Sequence, residues 1–421
     1  VKILHVYAQK PDYTGSGVYI QNLIKNLHSQ GISNYLICAT SVSDDIDKDL
    51  LQALDKIDVI NFDTKDLPFP IPGMSDDMPY KSSIYSKLSK EELNLWQNAF
   101  YNSLKKAKAY KPDKIIVHHL WGLVPLVLDN FDSKLVTAIC HGTDMRQLKL
   151  FKHLNNTNID FIKNILSSIQ KLNDIIALND IQKQAIINNY KVDSHKIRTI
   201  GLGFNPKLFF PEKLPNPTNN EFEISYVGKI TPQKGVGELI SAFKHLQAKN
   251  KYNMRLSLIG SADSINLDYY KSLSKTHESH IHFLGALKQH IMAPYLRNSK
   301  VFVLPSYYEG ASTVTLEALA SGNRIVVNDI PTIKPWIPQK AIESGRVLFV
   351  NLPKLIEVDK PCPSCLDNYI EELKDTIDIQ LEKTISDLEF SSKAERDRLE
   401  IYEILQSKYS WTSISNQIIN I

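Results

Sequence analysis

The chain is predicted to be an α/β protein of two domains, each a doubly wound parallel sheet, on three observations. Its 421 residues exceed what one hydrophobic core ordinarily organises, and two domains of about 200 residues each are the natural division. Short apolar runs alternate with helical stretches along the whole chain, the pattern that gives parallel strands with helices on both faces. Midway, Gly201-Leu202-Gly203-Phe204-Asn205-Pro206 and a Pro- and Asn-rich stretch at 211–220 interrupt the alternation and read as a linker.

Strands are expected at 2–7, 34–39, 57–61, 113–118, 134–140 and 174–178, then at 222–227, 254–260, 280–284, 300–304, 324–328 and 346–350. From about 366 the chain turns helical to its end, and no internal repeat or low-complexity tract is present.

Four strand ends carry chemistry. After the first strand, Tyr13-Thr14-Gly15-Ser16-Gly17-Val18 is a turn that suits a phosphate and opens a helix at about residue 17, although Gly-x-Gly alone is weak evidence. The apolar strand Lys134 to Cys140 runs into His141-Gly142-Thr143-Asp144, placing the imidazole where open α/β sheets keep their ligands; a hydrogen-bonded structural histidine is the plainer alternative. Glu221 to Val227 leads into Gly228-Lys229-Ile230-Thr231-Pro232-Gln233-Lys234-Gly235 and then a helix at 236–248. Glycines at both ends, two lysines and a helix N-terminus suit an anion, against the alternative of a solvated surface loop.

The fourth is the most informative. Val301-Phe302-Val303-Leu304 is followed by Pro305-Ser306-Tyr307-Tyr308-Glu309-Gly310 and an apolar helix whose only charge is Glu317. A bare carboxylate there is costly to bury, and a capping box fails because residue 314 is Val. Glu317 therefore needs a partner: a ligand with two hydroxyl donors, such as a ribose, or else an unseen base or an escape to solvent. Glu309, beside a glycine in a loop, reads by itself as a solvated residue.

In this order, and over nearly the whole chain, the four segments resemble the family-4 retaining glycosyltransferases of the GT-B fold. Lys408-Tyr409-Ser410-Trp411-Thr412 is similar to the entry to that family's last helix. The resemblance implies two Rossmann-like domains facing a central cleft: residues 1–206 for the acceptor and 207–405 for the donor, with a helix at about 406–421 packing back on the first. It implies a sugar moved from a nucleotide-diphosphate donor to an acceptor hydroxyl with retention, the acceptor being a glycan, a lipid-linked group or a small molecule. Lys229 and Lys234 would hold the diphosphate, although the family usually has Arg at the first position. Glu317 would take the ribose hydroxyls and Glu309 those of the sugar. Backbone amides of Gly310, Ala311, Ser312 and Thr313 would lie near sugar or phosphates. His141 would sit beside the reacting sugar, Gly17 would face the phosphates or the acceptor, and Gly228 would face the donor. Many relatives carry Gly-Phe-Gly after the first acid where this chain has Gly310-Ala311-Ser312-Thr313, so the transferred sugar, of hexosyl or N-acetylhexosaminyl type, is not fixed.

Neither cofactor nor metal is expected. Two lysines and a helix end supply the positive charge, and Asp45-Ile46-Asp47 and Asp76-Asp77 lie in polar or loop segments. Cys362-Pro363-Ser364-Cys365 has half the spacing of a zinc site and no second pair nearby in sequence, so it reads as a loop, against a local disulfide or a zinc shared with distant ligands. A net charge of +3 with 23% charged residues gives no reason to expect nucleic acid. With no apolar run near the roughly 20 residues that span a bilayer, and with Val1 to Tyr7 a strand rather than a leader, a cytoplasmic protein is expected. The stretch 89–109 carries Trp96, Phe100 and Leu104 on one face and lysines at its end. It reads as a surface helix with core-facing aromatics, and contact with the inner face of a membrane is the alternative. Pro68 to Tyr80 is either an acceptor-recognition loop or a packed connection. A dehydrogenase is disfavoured by Ile20, where the dinucleotide fingerprint wants Gly or Ala, and by the lack of an acid for a ribose at the end of the second strand in 32–40. A nucleotide-sugar epimerase and a binding module without turnover are the competing classes; oligomeric state is not readable.

Overall fold

Strands buried on both faces need near-continuous apolar runs, and this chain supplies them: Ile3, Leu4, Val6 and Tyr7 are fully buried, as are Val301, Phe302 and Val303. In the computed structural model, which describes residues 1–12, 14–75, 78, 80–152, 159–214, 221–310, 312–357 and 359–421, these runs form two parallel sheets. The side chains at 146 and 149–152 lie outside that description.

The first sheet contains β1 (Lys2–Tyr7), β2 (Ser33–Ser41), β3 (Lys56–Phe62), β4 (Lys114–His118), β5 (Val136–Ile139), β6 (Asp174–Ala177) and β7 (Ile197–Thr199), in the order β3-β2-β1-β4-β5-β6-β7. The second contains β8 (Glu221–Val227), β9 (Asn253–Ile259), β10 (Ile281–Gly285), β11 (Val301–Leu304), β12 (Arg324–Asn328) and β13 (Val347–Val350), in the order β10-β9-β8-β11-β12-β13. Each order reverses once, between β1 and β4 and between β8 and β11, and such switch points open a crevice at the carboxyl ends of the strands. Within these two sheets the strand that the apolar pattern did not predict is β7, a three-residue edge element whose Arg198 and Thr199 are exposed and give no apolar run; the short pairs Pro72–Gly73 with Ser83–Ile84 and Leu355–Glu357 with Lys360–Pro361 were not predicted either.

The chain forms two units, Val1–Gly203 with Trp411–Ile421, and Phe204–Ser410. The helical stretch placed at about 406–421 divides at Ser410, so that Ser391–Tyr409 belongs to the second unit and Trp411–Ile419 to the first. There the last helix packs on the helix Gly15–Ser29, with Gln30 Nε2 donating to Ser415 Oγ at 2.8 Å. The Trp411 ring covers Gly203, where a Cβ would lie 2.4 Å from it.

Ser89 and Glu92 form a capping box at the start of the helix Lys90–Ala107, and Trp96, Phe100 and Leu104 are buried in the core of the first unit. Its apolar face is thus occupied by protein. Among the described residues no helix is long and apolar enough to cross a membrane. In the 68–80 stretch Phe69, Ile71 and Met74 are buried, and Pro72–Gly73 pairs with Ser83–Ile84, so its described part is a packed connection. Asp76, Asp77 and Pro79 lie outside the described residues.

Candidate functional site

In the first unit the carboxyl ends of the neighbouring strands β1, β4 and β5 bring together groups that the sequence keeps far apart. Tyr7, the last residue of β1, has its hydroxyl 2.8 Å from Ser16 Oγ and 3.2 Å from Thr14 Oγ1. Thr14 caps the helix by accepting from Gly17 N at 3.0 Å. A Cβ on Gly17 would meet the Asp12 backbone at 2.6–2.7 Å, so close approach of the chain to itself requires glycine there. Tyr13 is outside the described residues.

His118 ends β4 and His141 follows β5; His118 Nδ1 and His141 Nε2 lie 3.3 Å apart, one ring donating to the other. His119, at φ +83°, sits in a left-handed conformation that few non-glycine residues adopt. Buried Asp144 fixes this corner. Its carboxylate accepts from His141 N at 2.9 Å, from Leu120 N, and from His119 Nδ1 at 3.4 Å, tying the two strand-end turns together. Burial by itself would push the Asp144 carboxyl up, but the two histidines and the amides hold it below the usual range. Burial and then the neighbouring His119 lower the His141 pKa to about 3, so the imidazole is neutral at physiological pH. Tyr19 packs edge-on against His141, with ring centroids 5.1 Å apart.

In the second unit the loops at the β8/β11 switch point close on each other. Tyr307 N donates to Gln233 O at 3.1 Å, and Lys234 Nζ meets Glu309 Oε1 at 2.6 Å, joining residues 75 apart in sequence. Asn328, at the end of β12, supports the loop by donating from Nδ2 to the carbonyls of Pro305 and Ser306, both at 3.0 Å. Tyr369 donates in turn to Asn328 Oδ1 at 2.8 Å. Lys229 is exposed, and Tyr226 donates to its carbonyl at 2.6 Å. The Gly228 carbonyl lies against Gly260, leaving no room for a Cβ there.

Gly235 holds the junction, with φ +66° and a position where a Cβ would stand 2.3 Å from the Pro305 carbonyl oxygen. Gly235→Ala is expected to destabilise the protein by roughly 2–4 kcal/mol, combining backbone strain with a clash against main chain. The midpoint of urea unfolding measures it.

Glu317 lies in the helix Thr313–Ala320, which Ser312 caps by accepting from Thr315 N. Glu317 is 3% exposed, and the partner the sequence demanded is Gln289, whose Nε2 donates to Oε1 at 2.7 Å. Burial raises the carboxyl pKa to about 8, with the Gln289 hydrogen bond pulling weakly the other way. Neither an escape to solvent nor a base accounts for it. Gly310 is exposed and a Cβ there would meet no atom within 4 Å, and Ala311 lies outside the described residues. Cys362 and Cys365 are free thiols. Among the described residues no group of three His, Cys, Asp or Glu side chains could hold a metal ion.

Sequence reasoning singled out His141 but missed His118, His119 and Asp144, and missed Gln289 and Asn328 in the second unit. The pair His118-His119 at the end of an apolar strand is the same signal that selected His141 and was available at 113–118.

Residues 209–348 match the profile of the family described as Glycosyl transferases group 1. The chain is 31% identical over 170 residues to the capsular polysaccharide biosynthesis glycosyltransferase CapM of Staphylococcus aureus, a match that spans less than half of either protein, 37% of this chain and 43% of that one. It is 24% identical over 339 residues to the MMP alpha-(1->4)-mannosyltransferase of Mycolicibacterium hassiacum, covering 76% and 79%. In structure it is similar to HepE of Anabaena, solved in complex with UDP, with TM-score 0.64 and 14% identity over 100% of this chain and 98% of that one. The parallel-sheet units, the strand orders and these matches agree: the chain has the GT-B fold, and its residues 209–348 are similar to the group 1 glycosyl transferases.

Proposed function

We propose that this protein moves a hexosyl or N-acetylhexosaminyl group from a nucleotide-diphosphate sugar to an acceptor hydroxyl, with retention at the anomeric carbon and without a divalent metal. The observation that carries this reading is the meeting of Lys234 and Glu309 at 2.6 Å across the switch point of the second sheet. A cation suited to a diphosphate and an acid suited to sugar hydroxyls stand side by side where this fold class binds its ligands. The UDP bound to HepE supports the donor class, and the name of CapM supports a glycan or glycoconjugate as the acceptor. A cytoplasmic setting is part of the proposal.

In this reading Lys229 and Lys234 neutralise the diphosphate, Glu317 takes the ribose hydroxyls and Glu309 those of the sugar. Amides of Gly310, Ala311, Ser312 and Thr313 lie along the sugar and phosphates. The bond from the anomeric carbon to the phosphate oxygen breaks as the bond to the acceptor oxygen forms on the same face. The acceptor proton passes to the departing phosphate oxygen, so no protein base is required. Lysines and helix-end amides stabilise charge that grows on the leaving group. His141, neutral, sits beside the sugar, and Gly17 lets the helix N-terminus approach.

A thermal-shift panel of UDP, GDP, ADP and their sugars tests the donor class, because a ligand that binds only the folded state raises its melting temperature. A shift with one nucleoside diphosphate and its sugar is expected, and turnover is expected to survive exhaustive chelation. A shift with NAD and none with the diphosphates overturns the donor class. Loss of turnover restored by magnesium or manganese overturns metal independence.

A further inference from the structure

At the amino ends of the second sheet's strands, on the edge opposite the Lys234–Glu309 turns, lies a cavity of about 140 Å³. At about 30 Å³ per water it has room for a group of roughly five heavy atoms. Its walls carry six cationic side chains against two carboxylates, a surplus of four charges, whereas the whole chain has a net charge of +3.

The pairing inside it is incomplete. Asp387 is shared by Arg324, at 2.7 Å, and Arg346, at 3.0 Å, while Glu212 pairs with Arg297 at 2.7 Å. That uses both carboxylates. Arg346 is 3% exposed and its Nε is buried without a partner among the described residues. Arg398, 6% exposed, donates from Nε to the Gly322 carbonyl at 3.2 Å and to nothing else among the described residues. The Lys300 side chain has no hydrogen-bond or ion-pair partner among the described residues; burial and then the Arg398 charge depress its pKa, with Glu212 pulling the other way. Glu395 and Asp397 temper the potential at Arg398 and Arg346 from nearby, without closing on either guanidinium.

Unpaired cations half or wholly out of water are costly, and guanidinium donors around a space of this size suit the tetrahedral oxygens of a phosphoryl group. We propose that this cavity is an anion site for a phosphoryl group, free or as a small phosphomonoester, held by Lys300, Arg346 and Arg398 and separate from the donor-binding turns.

The test is the melting temperature of the intact chain in inorganic phosphate, and in glycerol 3-phosphate, against chloride at equal ionic strength. At ten times its Kd, phosphate is expected to raise Tm by about 3–5 °C more than chloride does. A larger shift with the ester identifies an esterified ligand, and a shift with inorganic phosphate alone identifies the free ion; either supports the site. Lys300→Gln removes a cation that has no partner among the described residues, so it is expected to fold, to melt no lower than the parent in chloride, and to lose most of the phosphate increment. Lys229→Gln combined with Lys234→Gln is expected to keep that increment. No phosphate-specific shift in the parent, or a shift that survives Lys300→Gln and disappears in the donor-turn variant, overturns the proposal.

Discussion

Replacing His141 by alanine is expected to lower kcat by roughly 10²–10³-fold, the scale seen when one group facing transition-state charge is removed, with a much smaller change in donor affinity. In the proposed reaction charge builds on the leaving diphosphate only as the sugar departs, so an imidazole that faces it would contribute mainly to the transition state. Steady-state kinetics beside calorimetric titration with the donor separates the two quantities. A purely structural histidine would instead give a lower melting temperature and near-normal kcat in the folded fraction. The His141 pKa of about 3 adds a second check. The ring stays neutral over the assay range, so kcat between pH 5.5 and 8 is expected to show no titration of this group. For stability the sign is the reverse of a salt-bridged histidine. The unfolded chain takes up a proton near pH 6.5 that the folded site resists, so stability is complete above that pH and is lost as pH falls toward 3.

Glu317→Gln is expected to stabilise the protein at pH 8–9 and to leave it unchanged at about pH 4. The folded carboxyl, at about 8, lies above its ordinary value of 4.5, so the folded state keeps a proton that the unfolded chain has released. Stability from that proton is full below about 4.5 and is lost as pH rises to 8. Each tenfold change in proton affinity is worth about 1.4 kcal/mol, and relaxation of the site trims the total to roughly 1–3 kcal/mol. Melting curves at the two pH values decide it. In binding, Glu317→Ala is expected to weaken the nucleoside diphosphate and its sugar alike, by about 1.5–3 kcal/mol. Glu309→Ala is expected to reduce turnover while sparing the free diphosphate. Equal losses in the two variants would mean that the acids share one subsite and would undo the assignment of nucleoside and sugar.

What sequence made legible was whatever repeats along the chain. Strands such as Val301–Leu304 and Arg324–Asn328 announce themselves as short apolar runs, and the turns at 228–235 and 305–310 as glycines and charges placed where such runs stop. The edge strand β7 escaped because its outer residues, Arg198 and Thr199, face water. Partnerships escaped for a different reason. Gln289 and Glu317 lie 28 residues apart, His119 and Asp144 lie 25, and only strand order brings them within hydrogen-bonding distance. Isolation on an apolar helix showed that Glu317 required a donor, yet nothing local said which glutamine or ligand would serve. The helix Lys90–Ala107 illustrates the converse: its sequence read as a surface helix with core-facing aromatics, a membrane being the alternative, and the burial of Trp96 and Phe100 shows where its apolar face went.

Trp411 meets Tyr19 edge-on at 5.0 Å, and Tyr19 in turn meets His141. During synthesis the ribosome therefore delivers His141 early and the aromatic backing of its wall late, after the whole second unit has emerged. A nascent chain stalled before residue 411 holds the histidine with Tyr19 unsupported and Gly203 bare. The packing behind His141 is thus completed only after translation has passed through the second unit.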